Sequence, residues 1–122
     1  MAGLTQTEQQ ATLDARFPTT GGTDYIGYSA NGTSETGSLA RTAVGATGWA
    51  AATAATPSVK GNGTALTSAA ASGAVTVTHA AVFSASTGGT QRTDWQAVAA
   101  SKTLAVGDQL SWPVGTMLVT LD

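Results

Sequence analysis

Val75-Thr76-Val77-Thr78-His79-Ala80-Ala81-Val82-Phe83-Ser84-Ala85-Ser86-Thr87-Gly88-Gly89 is the stretch on which the reading of the fold turns. Val75 and Val77, then Ala81 and Phe83, fall on alternate positions, the period of a strand with one buried face. One or two strands are expected through 74–85, and Ser86-Thr87-Gly88-Gly89-Thr90 carries turn chemistry. Toward the C-terminus, Trp95, Ala97 and Ala99 alternate with Asp94, Gln96 and Val98 in a further strand. Val106-Gly107-Asp108 reads as a tight turn, 109–112 as short and partly extended, and 116–121 as a β-branched closing strand.

Toward the N-terminus the period of two continues. Tyr25-Ile26-Gly27-Tyr28 reads as a short strand, Asn31-Gly32-Thr33 as a turn and 39–44 as another strand, with Trp49 after a glycine-rich break. Residues 50–73 are mostly Ala, Thr, Ser and Gly. Within them Val59 and Ala65-Leu66-Thr67 are expected to form a hairpin across Asn62-Gly63, with 68–73 as the loop that follows. The one helix candidate is Thr5 to Phe17. Thr5 and Glu8 have capping-box spacing, Leu13 and Phe17 share a face, and Pro18 closes the segment. Such a helix would dock on a neighbour or on the body of the domain. The expectation is an all-β chain: a helical arm and turn over 1–22, then a single β-sandwich or jelly-roll-like domain of six to eight short antiparallel strands over 23–122.

The 122 residues suit one domain. Hydrophobic residues make up 42%, but alanine supplies nearly half of that share, and beyond scattered Val and Leu only three Trp, two Phe, two Tyr and two Met add bulk. A core this thin points to neighbours that share the work of stabilisation. Charged residues are 10% of the chain, well below the usual quarter or so. Weak mutual repulsion lets many copies pack closely. A net charge of −2 with no basic face argues against nucleic acid. The absence of cysteine excludes disulfides and thiolate metal sites. No apolar run approaches a membrane span, and the N-terminus has no secretory pattern, so synthesis in a cytoplasm is expected.

The residues that carry chemistry are sparse. His79 is the only histidine, so any Ser-His-Asp triad would need it, and no nucleophile elbow accompanies it. Glu8, Asp14, Asp24, Glu35, Asp94, Asp108 and Asp122 are scattered singly, without the local pairing or clustering that suggests a glycosidase or a calcium site. No enzyme activity, metal or cofactor is expected. Asn31-Gly32-Thr33 and Asn62-Gly63-Thr64 match a glycosylation acceptor, but turn chemistry explains both. Core packing is the first reading of Trp49, Trp95 and Trp112, and a carbohydrate platform or an interface anchor is the second. Tyr25 and Tyr28 fall on opposite faces of their strand. The candidate interface residues are Leu13, Phe17, Tyr25, Tyr28, Trp49 and Trp112.

Three ordered blocks resemble a family of small bacteriophage virion proteins, variously head-decoration, minor capsid or tail-fibre-like. Leu39-Ala40-Arg41-Thr42-Ala43-Val44 is similar to that family's Ala-Arg segment. The stretch from Val75 to Gly89 resembles its Val-Thr-His strand and Thr-Gly-Gly turn. Residues 104–122 resemble its closing Gly-Asp, aromatic-Pro-x-Gly and Leu-x-Val-Thr-Leu. Tyr28-Ser29-Ala30-Asn31-Gly32-Thr33 stands where the family often has a His-Thr-Ala-Asp-Pro-type stretch. The resemblance implies no catalytic residues. It implies a structural protein on the capsid surface of a virion that stabilises the shell by bridging neighbouring subunits. The expected partners are the major capsid protein and copies of itself, as a dimer or trimer. A minor tail or tail-fibre-like protein that contacts the host surface is the alternative. Its 122 residues leave no room for a long fibre shaft.

Overall fold

The computed structural model describes residues 5–45, 47–54, 58–116 and 118–120. Their order is α1 (Gln6–Arg16), β1 (Tyr25–Ser29), β2 (Thr42–Ala43), β3 (Val59–Gly61), β4 (Leu66–Thr67), β5 (Val75–Phe83), β6 (Gln96–Leu104), β7 (Ser111–Trp112) and β8 (Leu118–Thr120). The chain is all-β apart from α1, and its strands form small sheets. One has four strands in the order β2-β1-β5-β6, and the pairs β3-β8 and β4-β7 make two more. By contacts the chain divides into two compact units. One comprises Met1–Gly22, Val44–Leu66 and Trp112–Asp122, and the other Thr23–Ala43 and Thr67–Ser111.

The second unit is built on the stretch that opens the sequence reading. β5 runs unbroken from Val75 to Phe83 and pairs antiparallel with β1, Tyr25 opposite Phe83 and Ser29 opposite His79. Residues opposite one another share a face, so Tyr25, Gly27 and Phe83 lie on one side and Ile26, Tyr28 and Val82 on the other. Ile26, Tyr28, Val77 and Val82 are essentially sealed from water. The Tyr28 hydroxyl shares a short hydrogen bond with Thr42 Oγ1, whose residue is also buried. Tyr28→Phe leaves the buried Thr42 hydroxyl without this partner and is expected to cost about 1–2 kcal/mol, readable as a shifted urea midpoint with an unchanged slope.

Three expectations change. Of 39–44 only Thr42–Ala43 joins a ladder, because Leu39 is tucked into the core and Arg41 turns to other partners. β6 extends to Leu104, well past the alternation that announces it. Its residues beyond Ala99 show no apolar period because an edge strand exposed at Ala100, Ser101, Lys102 and Thr103 needs none. The hairpin across Asn62-Gly63 does not form: β3 pairs with β8 and β4 with β7. The favoured two-residue hairpin turn needs positive φ at both central residues, and neither Asn62 nor Gly63 adopts it. Residues 68–71 lie in no strand, as read, and run against 107–110 through bonds between Ser68 and Leu110 and from Ala71 to Asp108.

In the first unit, Thr5 caps α1 as its spacing predicts, its Oγ1 accepting from the Glu8 amide at 3.3 Å. The helix spans about three turns and packs on β3. Leu13 and Phe17 are buried, and the Phe17 ring meets Trp49 with centroids 5.4 Å apart. Asn62 is buried and pulls the C-terminal segment in, its Nδ2 donating to the carbonyls of Thr64 and Pro113 at 2.9 and 3.0 Å.

Candidate functional site

The second unit concentrates its charge chemistry at one end of the four-stranded sheet, where β5 gives way to the loop 84–95. Gly27 creates the opening for it. A side chain there would place a Cβ 2.5 Å from the Phe83 ring, so only glycine lets the ring lie across β1. The guanidinium of Arg41 then stacks over that ring at 3.8 Å from its centroid. Its Nε and Nη2 donate to the two oxygens of Glu35 at 2.8 and 2.9 Å, a bidentate pair. Its Nη1 donates to the carbonyls of Ala85 and Gly88, both at 2.8 Å. One buried side chain thus binds an acid, an aromatic face and two loop carbonyls.

The result is a preset loop. Gly88 and Gly89 take positive φ there, which other residues resist. The Thr90 amide donates to Ser84 Oγ at 2.8 Å, and the Ser84 amide to the Thr90 carbonyl at 3.0 Å. Residues 86–91 are exposed and present hydroxyls and an amide side chain without charge. Trp95, half-buried, packs its ring 5.7 Å from that of Phe83. Asp24, buried, forms an ion pair with Arg92 at 3.0 Å.

The first unit holds a different device. Lys60 Nζ, fully buried, donates to Asp14 Oδ1 at 2.6 Å, and the same oxygen accepts from the Ala52 amide at 3.0 Å. The Lys60 hydrogen bond, ahead of partial burial that acts the other way, holds the Asp14 carboxyl below its ordinary value of 3.8. Gln9, buried on the same helix, accepts from the Ser58 amide at 2.7 Å. α1 is thereby latched to β3 and to the segment before it.

The six candidate interface residues fall in different settings. Leu13, Phe17, Tyr28 and Trp49 are buried inside the chain and serve its packing. Tyr25 and Trp112 are half-buried. The His79 ring shares a hydrogen bond with Thr78 Oγ1 at 2.8 Å. Among the described residues no group of three or more His, Asp or Glu gathers where it would hold a metal ion, and no helix is long and apolar enough to cross a membrane. Sequence reasoning did not single out Arg41, Glu35, Lys60 or Asp14 as a set. The available signal was scarcity: in a chain with only 10% charge, each ion is conspicuous, and Glu35 and Arg41 stand six residues apart.

A family model described as Podophage GP4 fiber I protein gp80 matches residues 5–120, which include α1 and every strand. No curated protein matches the chain.

Proposed function

The chain belongs to the podophage GP4 fiber I protein gp80 family of bacteriophage virion proteins, and on that premise we propose that it is a fibre component of the virion, carried on the tail. The match along 5–120 carries the proposal, because it takes in both units rather than one motif. The family description supports the fibre at least as well as the capsid surface that composition and resemblance suggested. The geometry suits a structural part. Its loops are held by ion pairs and backbone bonds, and its exposed loop at 86–91 is uncharged and preset. A preset loop loses little entropy on contact, so it suits presentation to a neighbour in the fibre or to the host surface. In the capsid reading, the partner would be the major capsid protein.

Copy number and position separate the two readings. Quantitative mass spectrometry of purified virions is expected to find a few copies per particle, and immunogold against the chain is expected to mark the tail. Hundreds of copies with label spread over the head would overturn the fibre and restore the shell.

A further inference from the structure

Asn31-Gly32 and Asn62-Gly63 are the same dipeptide in opposite surroundings. An asparagine before a glycine can close on itself. The glycine nitrogen attacks the side-chain amide carbon, since no glycine side chain stands in the way. At 62 the fold blocks that reaction. Asn62 is 1% exposed, and its Nδ2 is held by the carbonyls of Thr64 and Pro113. The Gly63 amide donates to the Gly48 carbonyl at 2.7 Å, a partner with no proton of its own to pass on.

At 31 the fold gathers what the reaction needs. Asn31 is exposed. Its Oδ1 accepts from Ser29 Oγ at 3.1 Å, the Thr33 amide at 2.9 Å, and Thr33 Oγ1 and the Ser34 amide, both at 3.0 Å. Two of these are backbone donors, which fixes the oxygen, not the nitrogen, at that point. Four donors exceed the two lone pairs of an amide oxygen. They suit the fuller negative charge that develops there when the carbon is attacked. Ser29 Oγ, sealed from water, touches the nucleophile as well, accepting from the Gly32 amide at 2.9 Å. Glycine is required at 32 on two counts. Its φ is +79°, and a Cβ would lie 2.9 Å from the His79 ring.

We propose that Asn31 is a self-modification site, deamidated through a cyclic imide with Ser29 passing the proton. Gly32 N bonds to the Asn31 side-chain carbon as its proton moves to Ser29 Oγ and the Ser29 proton moves to Oδ1. The new hydroxyl returns its proton to the side-chain nitrogen, which leaves as ammonia while the C=O bond reforms. Water then opens the imide at either carbonyl and gives aspartate or isoaspartate. Both products add a carboxylate. Isoaspartate also lengthens the main chain in the turn after β1, which the Thr36 amide closes on the Tyr28 carbonyl. A virion protein is not replaced after assembly, so the change accumulates with the age of the particle, whether in a fibre or a shell.

Incubating the purified full chain at neutral pH tests this, with peptide mass spectrometry and an isoaspartate-specific methyltransferase as readouts. The mass gain of an amide turned acid, and the methylation, are expected at 31 at least roughly tenfold faster than at 62. In urea the two rates converge, because only local sequence then acts. Ser29→Ala is expected to slow the reaction at 31 about tenfold. Thr33→Val keeps the shape of an exposed side chain, drops one donor, and is expected to slow it by a smaller factor. If circular dichroism shows that Ser29→Ala has lost the fold, Thr33→Val decides. An Asn31 that stays intact, or reacts no faster than Asn62 in the folded chain, overturns the proposal. So does a folded Ser29→Ala or Thr33→Val chain that reacts as fast as the wild type.

Discussion

Replacing Arg41 with alanine is expected to destabilise the second unit by about 2–4 kcal/mol and to release the loop after β5. The side chain is 7% exposed, so its partners are lost from a nearly dry site. Three losses coincide. Glu35 loses both halves of its bidentate pair, the carbonyls of Ala85 and Gly88 lose their donor, and Phe83 loses the cation on its face. Glu35, about a third exposed, recovers water, which keeps the cost well below that of a sealed ion pair. Arg41→Lys separates charge from shape. Lysine keeps the positive charge but not the planar fork that reaches acid and carbonyls at once, so it is expected to recover less than half of the loss. Thermal midpoints rank the variants, and hydrogen exchange at the Thr90 amide reads the loop directly. A Thr90 amide equally protected in wild type and Arg41→Ala would show that the loop sets itself.

Asp14→Ala has the other large expected effect, because it leaves Lys60 charged, buried and without its carboxylate. Removing one partner of a fully enclosed pair costs roughly 3–5 kcal/mol. Here Asp14 is 44% exposed, so water reaches the ammonium once the acid is gone, and about 2–3 kcal/mol is the expected loss. Lys60→Met should recover most of it in the double variant, since an apolar chain of similar length needs no partner at that site. A double variant no more stable than Asp14→Ala would place the cost elsewhere.

The same pair sets an acid dependence whose sign follows from its cause. Lys60 holds the folded-state carboxyl below 3.8, so the unfolded chain takes up the proton first on acidification. The contribution of Asp14 is therefore complete above that value and fades as pH falls through the lower folded value. Asp14→Asn removes the titration and keeps an acceptor. The stability gap between wild type and Asp14→Asn is expected to stay constant from neutral pH down to about 5 and to narrow below 3.8. A gap that widens on acidification would contradict the pairing.

Much of this molecule was legible because its signals are local. The helix stop and start at Thr5, Glu8 and Pro18 needed only neighbours a few residues away, and α1 begins where they place it. β1 and β5 show because each ends in four consecutive buried residues, which asks for a short run of apolar or small side chains. The second half of β6 did not show, since a solvated edge imposes no apolar period. Asn62-Gly63 misled for a related reason: the dipeptide permits a hairpin turn, but a buried Asn62 amide with distant acceptors used the site otherwise.

The amino-acid sequence by itself determined that the chain is charge-poor and β-rich with one short capped helix, because composition, capping and period of two act over neighbouring residues. Only the tertiary structure decided which strands meet, that Lys60 lies buried against Asp14 across 46 positions, and that Arg41 reaches Ala85 and Gly88 across 44 and 47. Those choices depend on loops closing and on ions leaving water together. Neither the entropy of the first nor the desolvation of the second is written in any local pattern.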